Sequence, residues 1–219
     1  MSCALAGVTL AGALLAVIAQ AQSQEVVEIT VEKRQGTSWQ PVSSQTVFHS
    51  SDDIRFRVRS RIGGYLYVLN HESGGDETWL YPRPEQSSDN HIAISTSFLV
   101  PDSPASFTVG GQPGFDVTYW MITPQPMSLS PSAPKSKAKP NTLLPRCGSG
   151  PLRARGVCED PHAGPHAISE SDRIPSVFST AGGLVARDLT FQSKQSAVQV
   201  VAPEPPSGSI VYALWIAHK

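Results

Sequence analysis

Charge is scarce in this chain and cysteine scarcer. Of 219 residues only 16% are Asp, Glu, Lys or Arg, the formal net charge is −1, and there are three cysteines. A balance so near neutral excludes a wholesale nucleic-acid binder of histone type, so no nucleic-acid partner is expected. The first 21 residues contain no Lys, Arg, Asp or Glu at all. After them no stretch sustains a 3.6-residue apolar period, which argues against a helical architecture. Chemical signatures are missing too. No G-x-S-x-G elbow occurs, because Gly148-Ser149-Gly150 is too short to be one. No D-x-D-x-D-G calcium loop is present, and Gly110-Gly111-Gln112-Pro113-Gly114 lacks a P-loop lysine and leads into strand-like text. Gly (17) and Pro (19) make loops abundant without reaching the composition of a disordered chain.

The uncharged leader is an apolar run of small residues from Ala4 to Ala19, ending in Ala19-Gln20-Ala21. Small-x-small is the signal-peptidase pattern, and the run is shorter than the ~20 residues a spanning helix needs. Residues 1–21 therefore read as a signal peptide cleaved near Ala21, giving a periplasmic or secreted protein that meets the membrane only through export. No Lys or Arg follows Met1, so an uncleaved anchor is the alternative. Cys3 leaves with the leader, and Cys147 and Cys158 remain. Two thiols in an oxidising compartment predict a disulfide. The alternatives are free thiols, or a zinc site from Cys147-x10-Cys158-x3-His162-x3-His166. The wide first spacing and the compartment favour the bridge, and neither a metal nor any other cofactor is expected.

Period-two alternation is the strand signature, and it recurs. Val27, Ile29 and Val31 alternate with Glu28, Thr30 and Glu32; Ile54, Phe56 and Val58 alternate with Arg55, Arg57 and Arg59. Further strands are predicted at Tyr65–Asn70, Glu77–Tyr81, His91–Phe98, Ala105–Val109 and Phe115–Thr123, separated by Gly- and Pro-rich turns. From Pro124 onwards nine prolines up to Pro165 interrupt any ladder. Strand-like text resumes at Gly183–Phe191, Ala197–Ala202 and Ser209–His218. The last is apolar on both faces and so wants a central position. Three short strands make a poor core of their own. The expectation is an all-β protein with one antiparallel, immunoglobulin-like β-sandwich. Residues 25–123 form its first part, 124–182 a Pro-rich basic insertion or linker, and 183–219 the strands that complete it.

Within the first part, ordered matches accumulate. They are Asp53-Ile54-x-Phe56-x-Val58, Gly64-Tyr65-Leu66-Tyr67-Val68-Leu69, Leu80-Tyr81-Pro82, Val100-Pro101, Phe107-Thr108-Val109 and Gln112-Pro113-Gly114-Phe115-Asp116. Through them the segment of about residues 48–123 resembles the bacterial domain of unknown function number 4384, the glycine–tyrosine strand being the most specific match. The resemblance implies an exported or envelope-associated β domain and transfers no catalytic residue. The long Pro-rich insertion departs from the family pattern.

Candidate contacts come from the residues themselves. Arg55, Arg57, Arg59 and Arg61 share strand parity and form a cationic stripe on one face. Such forks suit carboxylate or phosphate; the simpler reading pairs them with carboxylates on the neighbouring strand. Trp79 and Tyr81, if exposed together, would make a stacking platform. Lys135, Lys137, Lys139, Arg146, Arg153 and Arg155 fall between Pro131 and Cys158 without an acid, so the insertion is basic and the remainder net acidic. His49 with Asp52 and Asp53, and His71 with Glu72 and Asp76, read as polar turns, Asp53 bonding backbone donors at its strand's start. Together these predict a non-enzymatic binding or interaction module, with an envelope protein or an anionic envelope polymer as partner. The competing classes are a secreted hydrolase or metal-dependent enzyme using His162 or His166, and a structural subunit of an envelope assembly. Intact mass and metal analysis separate them: the bridge predicts a two-hydrogen deficit with no alkylation before reduction, whereas stoichiometric zinc and two alkylated thiols would sink it.

Overall fold

The computed structural model of the chain describes residues 23–83, 89–129, 143–148, 158–168, 172, 174–179, 189–194, 196–202, 206 and 208–219. The expected signal peptide lies outside them, as do Lys135, Lys137, Lys139, Arg153 and Arg155. The described residues form β1 (Gln24–Gln35), β2 (Ser38–Val42), β3 (Val47–Phe48), β4 (Asp53–Ser60), β5 (Gly64–His71), β6 (Glu77–Tyr81) and β7 (His91–Ile92). They continue with β8 (Ser97–Val100), β9 (Phe107–Thr108), β10 (Gly114–Thr123), β11 (Gly164–His166), the one-turn helix α1 (Ser176–Ser179), β12 (Thr190–Lys194), β13 (Ala197–Ala202) and β14 (Ile210–His218). The fold is a β-sandwich. One sheet runs β12-β13-β1-β4-β8, with β2 on β1 and β9 on β4; the other runs β11-β14-β10-β5-β6, with β3 on β14 and β7 on β5. Pairing is antiparallel except for the two-residue parallel contact of β3 with β14, so the second sheet is mixed.

Period-two patterning decides which residues meet between the sheets. Val27, Ile29 and Val31 of β1 and Phe56 and Val58 of β4 face Leu66 and Val68 of β5, Trp120 and Ile122 of β10, and Tyr212 and Leu214 of β14 in one core. Trp120 sits at its centre, edge-on to Phe56 at 5.1 Å between ring centres and stacked at 6.3 Å on Tyr212. The second sheet has apolar residues on its outer face as well, because described parts of the 124–182 segment lie over it. Met127, Leu129, Ile168, Ile174 and Phe178 pack on Tyr67, Leu69, Met121, Val211 and Ala213. That is why both faces of β14 are apolar: Tyr212 and Leu214 meet the other sheet, Val211 and Ala213 meet this cover. Cys147 and Cys158 are joined by a disulfide with Cα atoms 4.9 Å apart. Cys158 packs against the Val47, Phe115, Ala163 and Ala217 cluster, and its carbonyl accepts the Val47 N–H at 2.8 Å. Among the described residues no helix is long and apolar enough to cross a membrane.

Two expectations on strands change. The single strand expected over His91–Phe98 is two, β7 pairing with β5 in one sheet and β8 with β4 in the other. A turn through Ser95, at φ 63°, carries the chain across the sandwich between them. The strand β2 has no apolar alternation to announce it; Pro41 is accommodated because β2 lies beside β1 off the main path of its sheet.

The glycine of the glycine–tyrosine strand has a steric reason. Gly64 adopts φ +148°, and a Cβ there would collide with the Thr123 carbonyl oxygen on the adjacent strand. Gly64→Ala therefore combines backbone strain with a clash against unyielding backbone. The expected loss is about 3 kcal/mol or more in urea unfolding; an unchanged midpoint would contradict this packing.

Candidate functional site

The arginine stripe is present, and most of it is already paired. Glu32 on β1 accepts Arg55 Nε at 2.6 Å and Arg57 Nε at 2.8 Å, and Arg61 Nε lies 3.4 Å from Glu25. Arg55 also stacks over Trp39 of β2, 4.3 Å from the ring centre. Arg59 stands opposite Glu28 and makes no ion pair within 4.0 Å among the described residues. The simpler reading of the stripe, cross-strand pairing, is thus the observed geometry for three of the four. Burial alone would raise the Glu32 carboxyl, but the bonds from Arg57 and Arg55 outweigh it and hold the group below the usual carboxylate range.

Trp79 and Tyr81 are not an exposed platform. They are 5% and 7% exposed and face opposite ways. A bulge opposite Val68 and Leu69 breaks the parity of β6, so Trp79 joins the outer cluster beside Phe178 while Tyr81 enters the inter-sheet core. Burial, then Asp102 and Asp89, push the Tyr81 phenol up to about 12. Nor is the zinc ligand set in place, because the two sulfurs are bonded to each other. His162 Nδ1 instead lies 2.9 Å from buried Asp160, which also accepts the backbone N–H groups of His162 and Arg146. His166 Nε2 donates to the His162 carbonyl at 2.9 Å, and its ring packs tilted against Trp215. At the turn before β4, Asp52 rather than Asp53 takes the backbone donor, from His49 at 2.8 Å, and it pairs with Lys33 at 2.6 Å. Asp53 accepts the Thr108 hydroxyl at 2.8 Å.

The structure assembles a different site, at one end of the sandwich. Along β10 the inner-face residues read Ile122, Trp120, Thr118, Asp116; along β5 and just beyond it they read Leu66, Val68, Asn70, Glu72. The core therefore turns polar towards one end, where Thr118, Asn70 and Thr78 align in one row across β10, β5 and β6. Opposite them, Phe56 of β4 and Phe107 of β9 supply an apolar wall. The cavity between them, open to solvent, has a volume of about 440 Å³, within the ~300–1,000 Å³ typical of small-molecule sites. Gly110 and Arg83 stand at its margin, the Arg83 guanidinium 5.9 Å from the Phe107 ring centre.

Hydrogen bonding in this cavity is uneven. The Thr118 hydroxyl accepts Trp120 Nε1 and donates to the Leu214 carbonyl, both at 2.9 Å. Asp116 Oδ1 accepts the Ser73 N–H at 2.8 Å and lies 3.2 Å from His218 Nε2. Asn70 differs: the residue is 9% exposed, and its side-chain carbonyl oxygen is fully buried without a donor. A buried acceptor left unmatched costs about 1–3 kcal/mol. Glu72 is held above the usual carboxylate range by burial first, then by Asp116 and Asp76. A second polar pair, His71 and Glu77 at 3.5 Å, lies on the other face of the same sheet. There burial raises the Glu77 carboxyl, and its Oε2 has no partner.

Nearly all of this site belongs to one continuous stretch of chain. Residues 47–126 match the model of the domain of unknown function DUF4384. No curated protein and no solved structure matches the chain. The DUF4384 segment supplies β3 to β10, hence strands of both sheets and every polar residue of the cavity; Ile216 of β14 is the contribution from outside it. Sequence patterning does not single out Asn70, Thr118 and Asp116, because each stands as one polar residue within a strand. Polar residues at core parity were the available signal.

The two glutamates make opposite predictions. Glu32, with its folded pKa depressed, adds stability above the ordinary carboxylate range that is lost as pH falls through the depressed value. Glu72, with its folded pKa raised, favours its protonated form in the fold, so its ionised form weakens the protein at neutral pH. At pH 7 Glu32→Gln should lose about 2 kcal/mol, less than a fully buried pair because Arg57 is 45% exposed. Glu72→Gln should raise the urea midpoint. A lower midpoint for Glu72→Gln would contradict the electrostatics of the cavity.

Proposed function

We propose that this chain is an exported, envelope-associated binding module without catalytic activity, and that its contact is the open-end cavity of the sandwich. The observation that carries the reading is a solvent-open cavity of about 440 Å³ into which the sheet turns polar residues, Asn70, Thr78, Thr118 and Asp116, at inward-facing positions. A few polar groups converging on a cavity of this size with an apolar wall are the usual lining of a binding site. Export is supported by the charge-free leader with Ala19-Gln20-Ala21 at its end, and by the Cys147–Cys158 bridge, which suits an oxidising compartment. Of the two partner classes the sequence suggests, an envelope protein fits an acid-lined cavity better than an anionic polymer does. The basic residues between Pro131 and Cys158 suit the polymer as a separate, weaker contact.

The test is a cross-linked pull-down from a native envelope fraction with the full chain and with Gly110→Tyr. A Cβ at Gly110 meets nothing within 4 Å, so the fold tolerates the tyrosine while its ring obstructs the margin of the cavity. Recovery of a partner by the wild-type chain and its loss with Gly110→Tyr is the expected result. N-terminal sequencing of the recovered chain should begin at Gln22. Equal recovery by both proteins would reject the cavity as the contact, and retention in the cytoplasmic fraction would reject export.

A further inference from the structure

We propose that the cover on the outer face of the second sheet, Ile168 with residues 174–178, is a pH-sensitive strap whose sensor is the His71–Glu77 pair. The strap closes firmly in mild acid and loosens as the pH rises through neutrality. This inference goes beyond the binding reading and concerns the face of the sheet away from the cavity. The strap adds no strand to either sheet. Its own Phe178 N–H is satisfied inside the turn of α1, by the Pro175 carbonyl at 2.9 Å. It rests on the sheet through Phe178, edge-on to Trp79 at 5.9 Å between ring centres, with Ile168, Ile174 and Val177 in the same cluster. Glu77 precedes Trp79 by two residues on β6 and shares its face. Tyr119 on β10 links the sensor to the strap's side of the sheet: burial first, then Asp172 and Glu77, push its phenol up.

Glu77 is poorly provided for where it stands. Its side chain is 4% exposed, and one carboxyl oxygen lies 3.5 Å from Nδ1 of His71, whose side chain is 13% exposed. The other oxygen, Oε2, is buried without a hydrogen-bond partner. Being sealed, that oxygen is no contact for a ligand in the closed form. Its desolvation is relieved in two ways: a proton neutralises the carboxyl, or the strap lifts and admits water. Burial raises the Glu77 carboxyl despite the attraction of His71. A folded pKa above the unfolded one gives stability that is present in acid and lost as the pH rises through the folded value. Imidazole loses its charge over about pH 5 to 8, so the one cationic partner of Glu77 fades over the same span. The other groups near the pair, Tyr119 on β10 and Asp172 on the strap's side, bring no positive charge to replace it.

The experiment follows the full chain by NMR from about pH 5.5 to 8, the span over which imidazole titrates. Two readouts report the strap: the exchange protection factor of the Phe178 amide, and cross-relaxation between the Phe178 ring and the Trp79 indole. The Met121 amide, in the middle of the second sheet, reports the sheet itself. Phe178 protection is expected to fall about tenfold across this range, the equivalent of one pKa unit, with the cross-relaxation weakening and Met121 unchanged. Glu77→Gln carries no charge at any pH and should show no such fall. His71→Gln removes the cationic partner and should move the fall to lower pH. Wild-type protection independent of pH would overturn the inference, and so would an equal fall in Glu77→Gln. A matching fall at Met121 would also overturn it, since the sandwich rather than the strap would then be loosening.

Discussion

The ladder between β10 and β14 is the contact on which the rest of the molecule depends. It runs from Gly114 opposite His218 to Ile122 opposite Ile210, joining strands almost a hundred residues apart in sequence. Each strand is buried on both faces, so the ladder is fastened to the inter-sheet core through Trp120, Tyr212 and Leu214 and to the outer cover through Met121, Val211 and Ala213. Closing so long a loop is slow and entropically expensive, and only a ladder buried on both sides offsets it well. The parallel contact of β3, the disulfide beside it and the short strand β11 all attach to β14. Without this ladder the DUF4384 segment would keep its hairpins and lose the sheet they lean on.

The same pair of strands explains where the cavity falls. The inner face of β10 runs from Ile122 to Asp116, and that of β5 from Leu66 to Asn70, so one end is closed by apolar packing and the other left polar. A sandwich end that simply met water would leave its polar groups hydrated. Here the Asn70 oxygen is sealed from solvent without a partner, and Glu72 is crowded by Asp116 and Asp76. Both features weaken the free protein, the pattern expected where stability is given up for recognition. The arginine row on the other sheet has the opposite character. Three of its four arginines are paired, and Glu32, 5% exposed, binds two guanidinium groups at once. A matched network stabilises its own sheet and leaves less charge to offer a partner.

What could be read from the chain follows from period and parity. Val27-Ile29-Val31 and Ile54-Phe56-Val58 announced strands with one apolar face, and the doubly apolar text at 210–218 announced a central one, because these patterns are set by local geometry. The Cys147–Cys158 bridge was legible from cysteine count and compartment. Trp79 and Tyr81 do not form the expected platform, because the bulge in β6 is invisible without its partner strand. The two strands within 91–100 merged for a similar reason: nothing local tells the chain to change sheets at Ser95. The cavity was hidden differently. Asn70, Thr118 and Asp116 are close only through the register of β5 with β10, and each alone reads as an ordinary polar residue in a strand.

The central claim is that the open end of the sandwich holds carboxylates which the protein itself leaves under-neutralised. A carbon-13 NMR titration of the Glu72 side-chain carboxyl in the ligand-free protein tests it most directly. The account predicts a midpoint above that of an ordinary glutamate, because burial, Asp116 and Asp76 all oppose ionisation there. A midpoint at or below the ordinary value would mean that the charge is already matched within the fold, and the cavity would lose the electrostatic character this account gives it.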